Sequence, residues 1–332
     1  IIAGISLVFS FILFGGALKN GFTLDDYPVV VSRLSSIGNI STWPALFKEP
    51  WHPNGTWAGN YRPLTLLTYG VNVIFSSRPL GFHLINILLH AANVVLFFSL
   101  IKKISSRTAA FVASVLFLVM PIHTESIASI AARNGLLGTF FILIALLYLL
   151  NGEKWKASGS FLLALLSADT AITFLPLAGA IIWITTGNLS KSFKQWFWYW
   201  WPLVVYFPLR WLALGRYSFK GEGFIDPVIG PLAFVSTLER VQTGFVHLFL
   251  YLRKTFIPTD LSPDYSYNQI PIVHGLFNSL SSWVGLLVFL VAIAIILFSH
   301  RRDLRVAATL FVIPFAVISN IFFITTGTMA ER

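Results

Sequence analysis

The run WVGLLVFLVAIAIILF, residues 283–298, contains no charged residue. As a helix rising 1.5 Å per residue, and extended to 280–299, it reaches about 30 Å, the thickness of a bilayer core. The same reading applies to 1–18 and 136–150, which are also free of charge. Composition agrees over the whole chain, with 56% hydrophobic and 11% charged residues, whereas a soluble domain carries roughly 25% charged. The fold class that follows is all-α, a polytopic integral membrane protein. Hydropathy predicts spans over 1–19, 82–101, 108–125, 135–151, 157–168, 170–186, 196–214, 280–299 and 304–321. The fifth and sixth are short and meet at Ser167-Ala168-Asp169-Thr170.

Residues 1–18 lack a basic leader and a small-residue cleavage site, so they read as a retained anchor. The chain opens on Ile1 and stops at Arg332 in a polar stretch, which suggests a piece of a longer protein. The absence of cysteine excludes disulfides, thiolate metal sites and cysteine nucleophiles. The net charge of +10 does not point to nucleic acid, because the basic residues are scattered in short loops. Those loops hold Lys102, Lys103 and Arg107; Lys154 and Lys156; Lys191 and Lys194; and Arg301, Arg302 and Arg305. The positive-inside rule makes them cytoplasmic. Only Glu153 and Asp303 of the thirteen acidic residues share these loops, so acid-base chemistry is expected on the other face.

The alternation closes if residues 233–257 do not cross. That segment carries Glu239, Arg240, His247, Arg253 and Lys254, charges that are costly in a bilayer centre, and is expected to be interfacial or re-entrant. The long first loop, 20–81, is rich in Trp and Pro and is expected to form short interfacial helices on the extracytoplasmic side. The organisation predicted is one membrane-embedded domain, 1–332.

Several polar groups could carry chemistry. Asp25 and Asp26 follow the first span, where a carboxylate could act as general base or bind a divalent cation, or simply cap a turn. His83, Asn86, His90 and Asn93 line one helix face as a polar stripe, read at Asn86 and Asn93 as interhelical hydrogen bonding. Within it, His83 lies near enough to the outer surface to be functional. His123 and Glu125, followed by Arg133, gather a ring, a carboxylate and a guanidinium near one turn, fit for acid-base work or for a helix-end ion pair. Arg62 and Arg332 add outer arginines that could bind phosphate or contact lipid headgroups. Soluble-enzyme signatures, GxSxG, HExxH, a Walker loop or GxGxxG opening a helix, are missing.

Taken together, Asp25-Asp26, Tyr61-Arg62-Pro63-Leu64-Thr65, Gly81-Phe82-His83 with Asn86 and Leu89-His90, and Pro121-Ile122-His123-Thr124-Glu125-Ser126 resemble one family. It is that of the transmembrane and tetratricopeptide-repeat O-mannosyltransferases and their microbial homologues, in the C-type superfamily of polyprenyl-phosphate-sugar-dependent glycosyltransferases. Residues 261–267, Ser319-Asn320-Ile321-Phe322-Phe323 and Met329-Ala330-Glu331-Arg332 are similar to it too.

The resemblance implies a C-type fold and an inverting transfer of a sugar, with mannose the expected one, from a polyprenyl-phosphate donor to a protein Ser or Thr hydroxyl. It implies an acidic catalytic residue at Asp25 or Asp26 and an arginine of the next helix at Arg62. The Lys-Glu that the family carries before Thr is here Ala168-Asp169. Donor phosphate or sugar would be held among Arg62, His83, His123, Glu125, Arg133, Arg253, Lys254, Glu331 and Arg332. No cofactor is required, and metal independence is favoured over a divalent cation. The expected partners are the bilayer, the lipid-linked donor and a protein acceptor, with the active site on the extracytoplasmic face. Further spans and a repeat domain would follow residue 332. A lipid-linked-sugar binding or flipping protein, or a membrane scaffold, are the alternatives from other classes.

Overall fold

The computed structural model describes residues 2–53, 59–218, 227–228, 230–262, 265–266, 269–275, 278–322, 324 and 329. Among them every regular element is helical. Five stretches are long and apolar enough to cross a membrane: Ile2–Lys19, Pro79–Ile104, Arg133–Leu150, Asp169–Thr186 and Leu280–Phe298. A sixth forms if Arg107–Val119 and Pro121–Ala128, bent by 53° at the break, count as one span. The other predicted spans are helical but fall short of that standard, at 14 residues for Lys154–Ser167, 14 for Trp201–Leu214 and 17 for Arg302–Ile318. The chain divides into two compact units, one of 1–174 with 198–223, the other of 175–197 with 224–331.

The first unit begins with α1 (Ile2–Phe14), extended by a 3-10 segment Gly15–Lys19. Ser6, Ser10 and Phe14, one face at i, i+4 and i+8, are buried, while Leu7, Val8, Phe9, Ile12 and Leu13 are exposed. Large apolar side chains outward and small or polar ones inward is the pattern a lipid solvent favours. The first loop folds into short helices, α2 (Asp26–Val29), α3 (Leu34–Ile37) and α4 (Trp43–Leu46). It also holds α5 (Pro63–Phe75), whose Pro63 sits in the first turn, where its missing N–H is no loss.

Helix α6 (Pro79–Ile104) is the spine. It runs antiparallel to α1, since Phe14 meets His90 at a ring distance of 5.2 Å while the Asn20 and Gly21 backbone lies by His83. Two residues separate it from α7 (Arg107–Val119), which leads through α8 (Thr124–Ala128) to α9 (Arg133–Leu150). Asn86 donates to Ile127 O (3.3 Å) and Ser129 O (2.9 Å), and Asn93 to Leu136 O (3.0 Å). The stripe on α6 is therefore interhelical glue at both asparagines, with α6 and α9 parallel. Helix α10 (Lys154–Ser167) returns along α9, and α13 (Trp201–Leu214) packs on α10. Short connections and alternating directions collect residues 20–26, 62, 83, 125–133 and 169 at one end of these helices. Lys102, Lys103, Arg107 and Lys154 sit at the opposite end.

The second unit comprises most of α11 (Phe174–Thr186), α12 (Leu189–Phe197), α14 (Thr237–Phe256), α15 (Leu280–Phe298) and α16 (Arg302–Ile318). Trp196 donates to Leu175 O (2.7 Å) and fits over Gly179. Gly285 lets the backbone of α15 approach Phe245 O of α14, where a Cβ would collide. Ser236 and Glu239 form a reciprocal capping box that starts α14.

Candidate functional site

The turn Thr23-Leu24-Asp25-Asp26 divides the two adjacent carboxylates. Asp26 is fully buried: its Oδ2 accepts from Thr23 N (2.9 Å) and its Oδ1 from Ala131 N (2.8 Å), over 105 residues of sequence. Burial pushes the Asp26 carboxyl above its ordinary value, against the two backbone N–H bonds that favour the charged form. Asp25 is partly exposed. Leu24, 75% exposed, takes φ +43°, a left-handed conformation uncommon away from glycine. The turn is thus pinned by one carboxylate in a way that leaves its neighbour at the surface.

Ala131 belongs to the connection Ile130–Ala132, on which the rest of the site converges. Tyr69 Oη donates to Ile130 O (2.8 Å). Arg133, next along, is fully buried. Its Nε donates to Asn86 Oδ1 (2.9 Å), its Nη1 to Asn72 Oδ1 (2.7 Å) and to Thr68, and its Nη2 to Phe82 O (3.0 Å). The guanidinium also lies over the rings of Tyr69 (4.6 Å) and Phe82 (5.5 Å). The sequence reading puts Arg133 among the phosphate ligands. The structure instead commits its donors to α5 and α6, so that a single planar fork joins three helices.

Arg62 caps α5 and is 18% exposed at its side chain. Its Nε donates to Asp169 Oδ2 (2.9 Å) and its Nη2 to Asn60 Oδ1 (3.3 Å), and the guanidinium lies over Trp51 (5.0 Å). With its amide oriented to satisfy both ends, Asn134 donates to Ala131 O (2.8 Å) and accepts from Arg62 Nη1 (3.1 Å). Asp169 is shared, because Arg210 Nη1 reaches its Oδ1 at 2.5 Å and Tyr206 Oη donates to the same oxygen at 3.3 Å. The Tyr69 hydroxyl feels the charges of Arg133, Asp26 and Arg62 together, which brings the acidic turn and the arginines into one neighbourhood.

His83 is buried in the field of Asp26 and Arg133, and its ring nitrogens make no hydrogen bond of good geometry. His123 packs with Phe117 (4.6 Å) and His90 (5.6 Å) in an aromatic cluster at the break after α7. Glu125 begins α8 and is half-buried. In the second unit, Arg253 bonds Asp260 Oδ2 (3.2 Å) and Thr259 Oγ1 (3.3 Å), and Lys254 donates to Asp260 O and lies over Tyr265. Glu331 and Arg332 lie outside the described residues. Among the described residues no three His, Asp or Glu side chains converge as metal ligands.

Sequence reasoning missed Arg210, Tyr206, Asn134 and Arg33. Arg33 is buried and donates to Trp51 O (2.8 Å) and Pro50 O (2.7 Å), closing the first loop on itself. For Tyr206 and Arg210 a signal exists: two polar groups at i and i+4 on an otherwise apolar helix share a face and call for a partner.

Neither a family profile nor a solved structure matches this chain. Among curated proteins it is 27% identical over 335 residues to Protein O-mannosyl-transferase F38B6.6 of Caenorhabditis elegans, covering 97% of this chain and 47% of that protein. It is 25% identical over 397 residues to Protein O-mannosyl-transferase TMTC4 of Mus musculus, covering 97% and 52%. Against Protein O-mannosyl-transferase TMTC3 of Homo sapiens the identity is 31% over 134 residues, 40% of this chain and 13% of that one. The chain spans about half the length of the relatives it matches from end to end. These relatives are animal proteins and lend no support to a microbial source.

Proposed function

Because the chain belongs to the transmembrane and tetratricopeptide-repeat O-mannosyltransferase family, we propose that it transfers mannose from a polyprenyl-phosphate carrier to a Ser or Thr hydroxyl of a protein, on the extracytoplasmic face. The observation that carries the mechanism is the division of the acidic pair, with Asp26 anchored inward on Thr23 N and Ala131 N and Asp25 left partly exposed. Asp25 is the general base and Asp26 the group that fixes its turn. The acceptor oxygen attacks the anomeric carbon from the face opposite the phosphate. The bond from that carbon to the phosphate oxygen breaks, its electron pair leaving with the phosphate, and the hydroxyl proton passes to Asp25. The anomeric centre inverts.

A carboxylate is a weak base for an alcohol, so its proton transfer comes late, and positioning with charge stabilisation supplies most of the rate. Arg62 is the cation for the leaving phosphate. It is partly exposed, and two of its three nitrogens face neutral amides that an anion can displace. Lys102, Lys103, Arg107 and Lys154, at the opposite ends of the first unit's helices, support the extracytoplasmic placement by the positive-inside rule.

The test is release of labelled mannose from a polyprenyl-phosphate donor by the full-length protein, for wild type, Asp25→Asn and Asp26→Asn. Loss of turnover by about a thousandfold in Asp25→Asn, with donor binding kept, is the expected result. Equal turnover in wild type and Asp25→Asn, or none in wild type, moves the reading to a lipid-linked-sugar carrier or a scaffold.

A further inference from the structure

The cluster around Asp169 holds two guanidinium groups on one carboxylate, and the two are used differently. Every nitrogen of Arg210 is committed within the protein: Nε to Ser218 O (3.0 Å), Nη1 to Asp169 Oδ1 (2.5 Å) and Tyr206 Oη (3.0 Å), and Nη2 to Gly59 O (2.5 Å). Two of these acceptors are backbone carbonyls, which hold the group in place whether or not a ligand arrives. Arg62 meets Asp169 only through Nε, and its terminal nitrogens rest on the side-chain amides of Asn60 and Asn134. The three side chains are between 14% and 24% exposed, shielded enough for their charges to act on one another with less screening than at an open surface.

Asp169 placed against Arg62 alone would cancel the field that Arg62 offers to an anion. With Arg210 fixed to the other carboxylate oxygen, the cluster carries one surplus positive charge, located at the arginine whose partners are easiest to displace. We propose that Arg210 is a positioning residue of the site. It neutralises Asp169 and holds its carboxylate, so that Arg62 keeps both its orientation and its charge for a phosphate monoester or diester. The inference rests on the proposed role of Arg62 at the donor phosphate. Arg210 itself touches no ligand.

Charge balance separates this role from a merely structural one. Arg210→Gln leaves the cluster neutral, Asp169→Asn leaves it doubly positive, and Arg210→Gln with Asp169→Asn restores a single positive charge. The probe is a fluorescent short-chain polyprenyl monophosphate, bound at equilibrium to the full-length protein in lipid nanodiscs without an acceptor. Arg210→Gln is expected to weaken binding by about tenfold, and the double variant to recover wild-type affinity to within about threefold. Arg210→Lys keeps the charge and is expected to keep most of the affinity, which covers the case in which the glutamine variant folds poorly. The proposal is overturned if the double variant binds as weakly as Arg210→Gln, or if Arg210→Lys and Arg210→Gln lose affinity alike. It is also overturned if the wild type binds no polyprenyl phosphate. That last outcome is separable from failure of the transferase reading, which is measured by mannose release and by its dependence on Asp25.

Discussion

Arg133 of the first unit and Arg253 of the second unit are alike in sequence, each a cation at a helix end and each an expected phosphate ligand. Their surroundings differ. Arg133 is fully buried, and its partners Asn86, Asn72, Thr68 and Phe82 lie 47 to 65 residues away in the chain. Arg253 is 43% exposed at its side chain, and its partners Thr259 and Asp260 lie six and seven residues on. A cation whose partners come from distant helices joins the fold together, whereas one that serves a local turn adds little to it and stays open to other roles. The density of long-range polar bonds, more than the presence of arginine, marks where the first unit is built.

The largest test of this contrast is Arg133→Met. It leaves the acceptors on Asn86, Asn72 and Phe82 buried without a donor, and each such loss costs about 1–3 kcal/mol, partly offset by no longer burying a charge. A net destabilisation of about 3–5 kcal/mol is expected, read as a fall in the thermal midpoint in detergent. Arg133→Lys should recover only a fraction, since an ammonium cannot span the fork. A midpoint within a degree of wild type for Arg133→Met would remove the basis of the comparison.

Asp26→Asn is a smaller break in the same region. Two backbone N–H groups face two carboxylate oxygens, an amide offers only one oxygen, and the other N–H then meets an NH2 group. The expected cost is about 1–3 kcal/mol. The pH dependence has a definite sign. Burial raises the carboxyl's pKa in the fold above its ordinary 3.8, so the folded state holds the proton more tightly than the unfolded state. That contribution is present in full below the ordinary value and is lost as pH rises through the raised one. The stability gap between wild type and Asp26→Asn should therefore widen as pH falls into that window. A gap that narrows with acid would mean that the hydrogen bonds from Thr23 and Ala131 outweigh desolvation.

The helices are legible in the sequence because the lipid solvent demands long apolar runs, and the positions of α1, α6, α9 and α15 follow from that alone. Helix α5 is hidden inside the first loop. Its 13 residues are too few to span a bilayer, so hydropathy passes over it, although Pro63 ahead of an apolar run is a helix start. In the site, the roles of Asn86 and Asn93 as interhelical bonds are legible, because a polar residue on a span has few other uses. The partnership of Asp169 with Arg62 and Arg210 is not. It depends on which helix ends meet, and sequence separations of 107 and 41 residues carry no local pattern. The burial of Asp26 beside a surface Asp25 is hidden for a related reason: adjacent identical residues are told apart only by the direction of the turn, which Ala131 sets from far along the chain.

The smallest effect is expected in the second unit. Arg253→Gln removes an exposed ion pair with Asp260, a class worth about 0–1 kcal/mol. Asp260 keeps its left-handed conformation, φ +59°, through Lys254, which is buried, donates to its carbonyl and lies 5.0 Å from the Tyr265 ring centroid. The stability of Arg253→Gln should stay within about 1 kcal/mol of wild type, and that of Lys254→Met should fall further, because the Asp260 carbonyl loses the donor that the buried Lys254 supplies. Kinetics then decide whether Arg253 does more than close this turn. If it also contacts the donor phosphate, Arg253→Gln raises the donor KM severalfold at unchanged stability; if it serves the turn alone, both quantities stay put. A stability loss as large as that of Arg133→Met would show that local ion pairing at the end of α14 supports the second unit as strongly as the buried arginine supports the first.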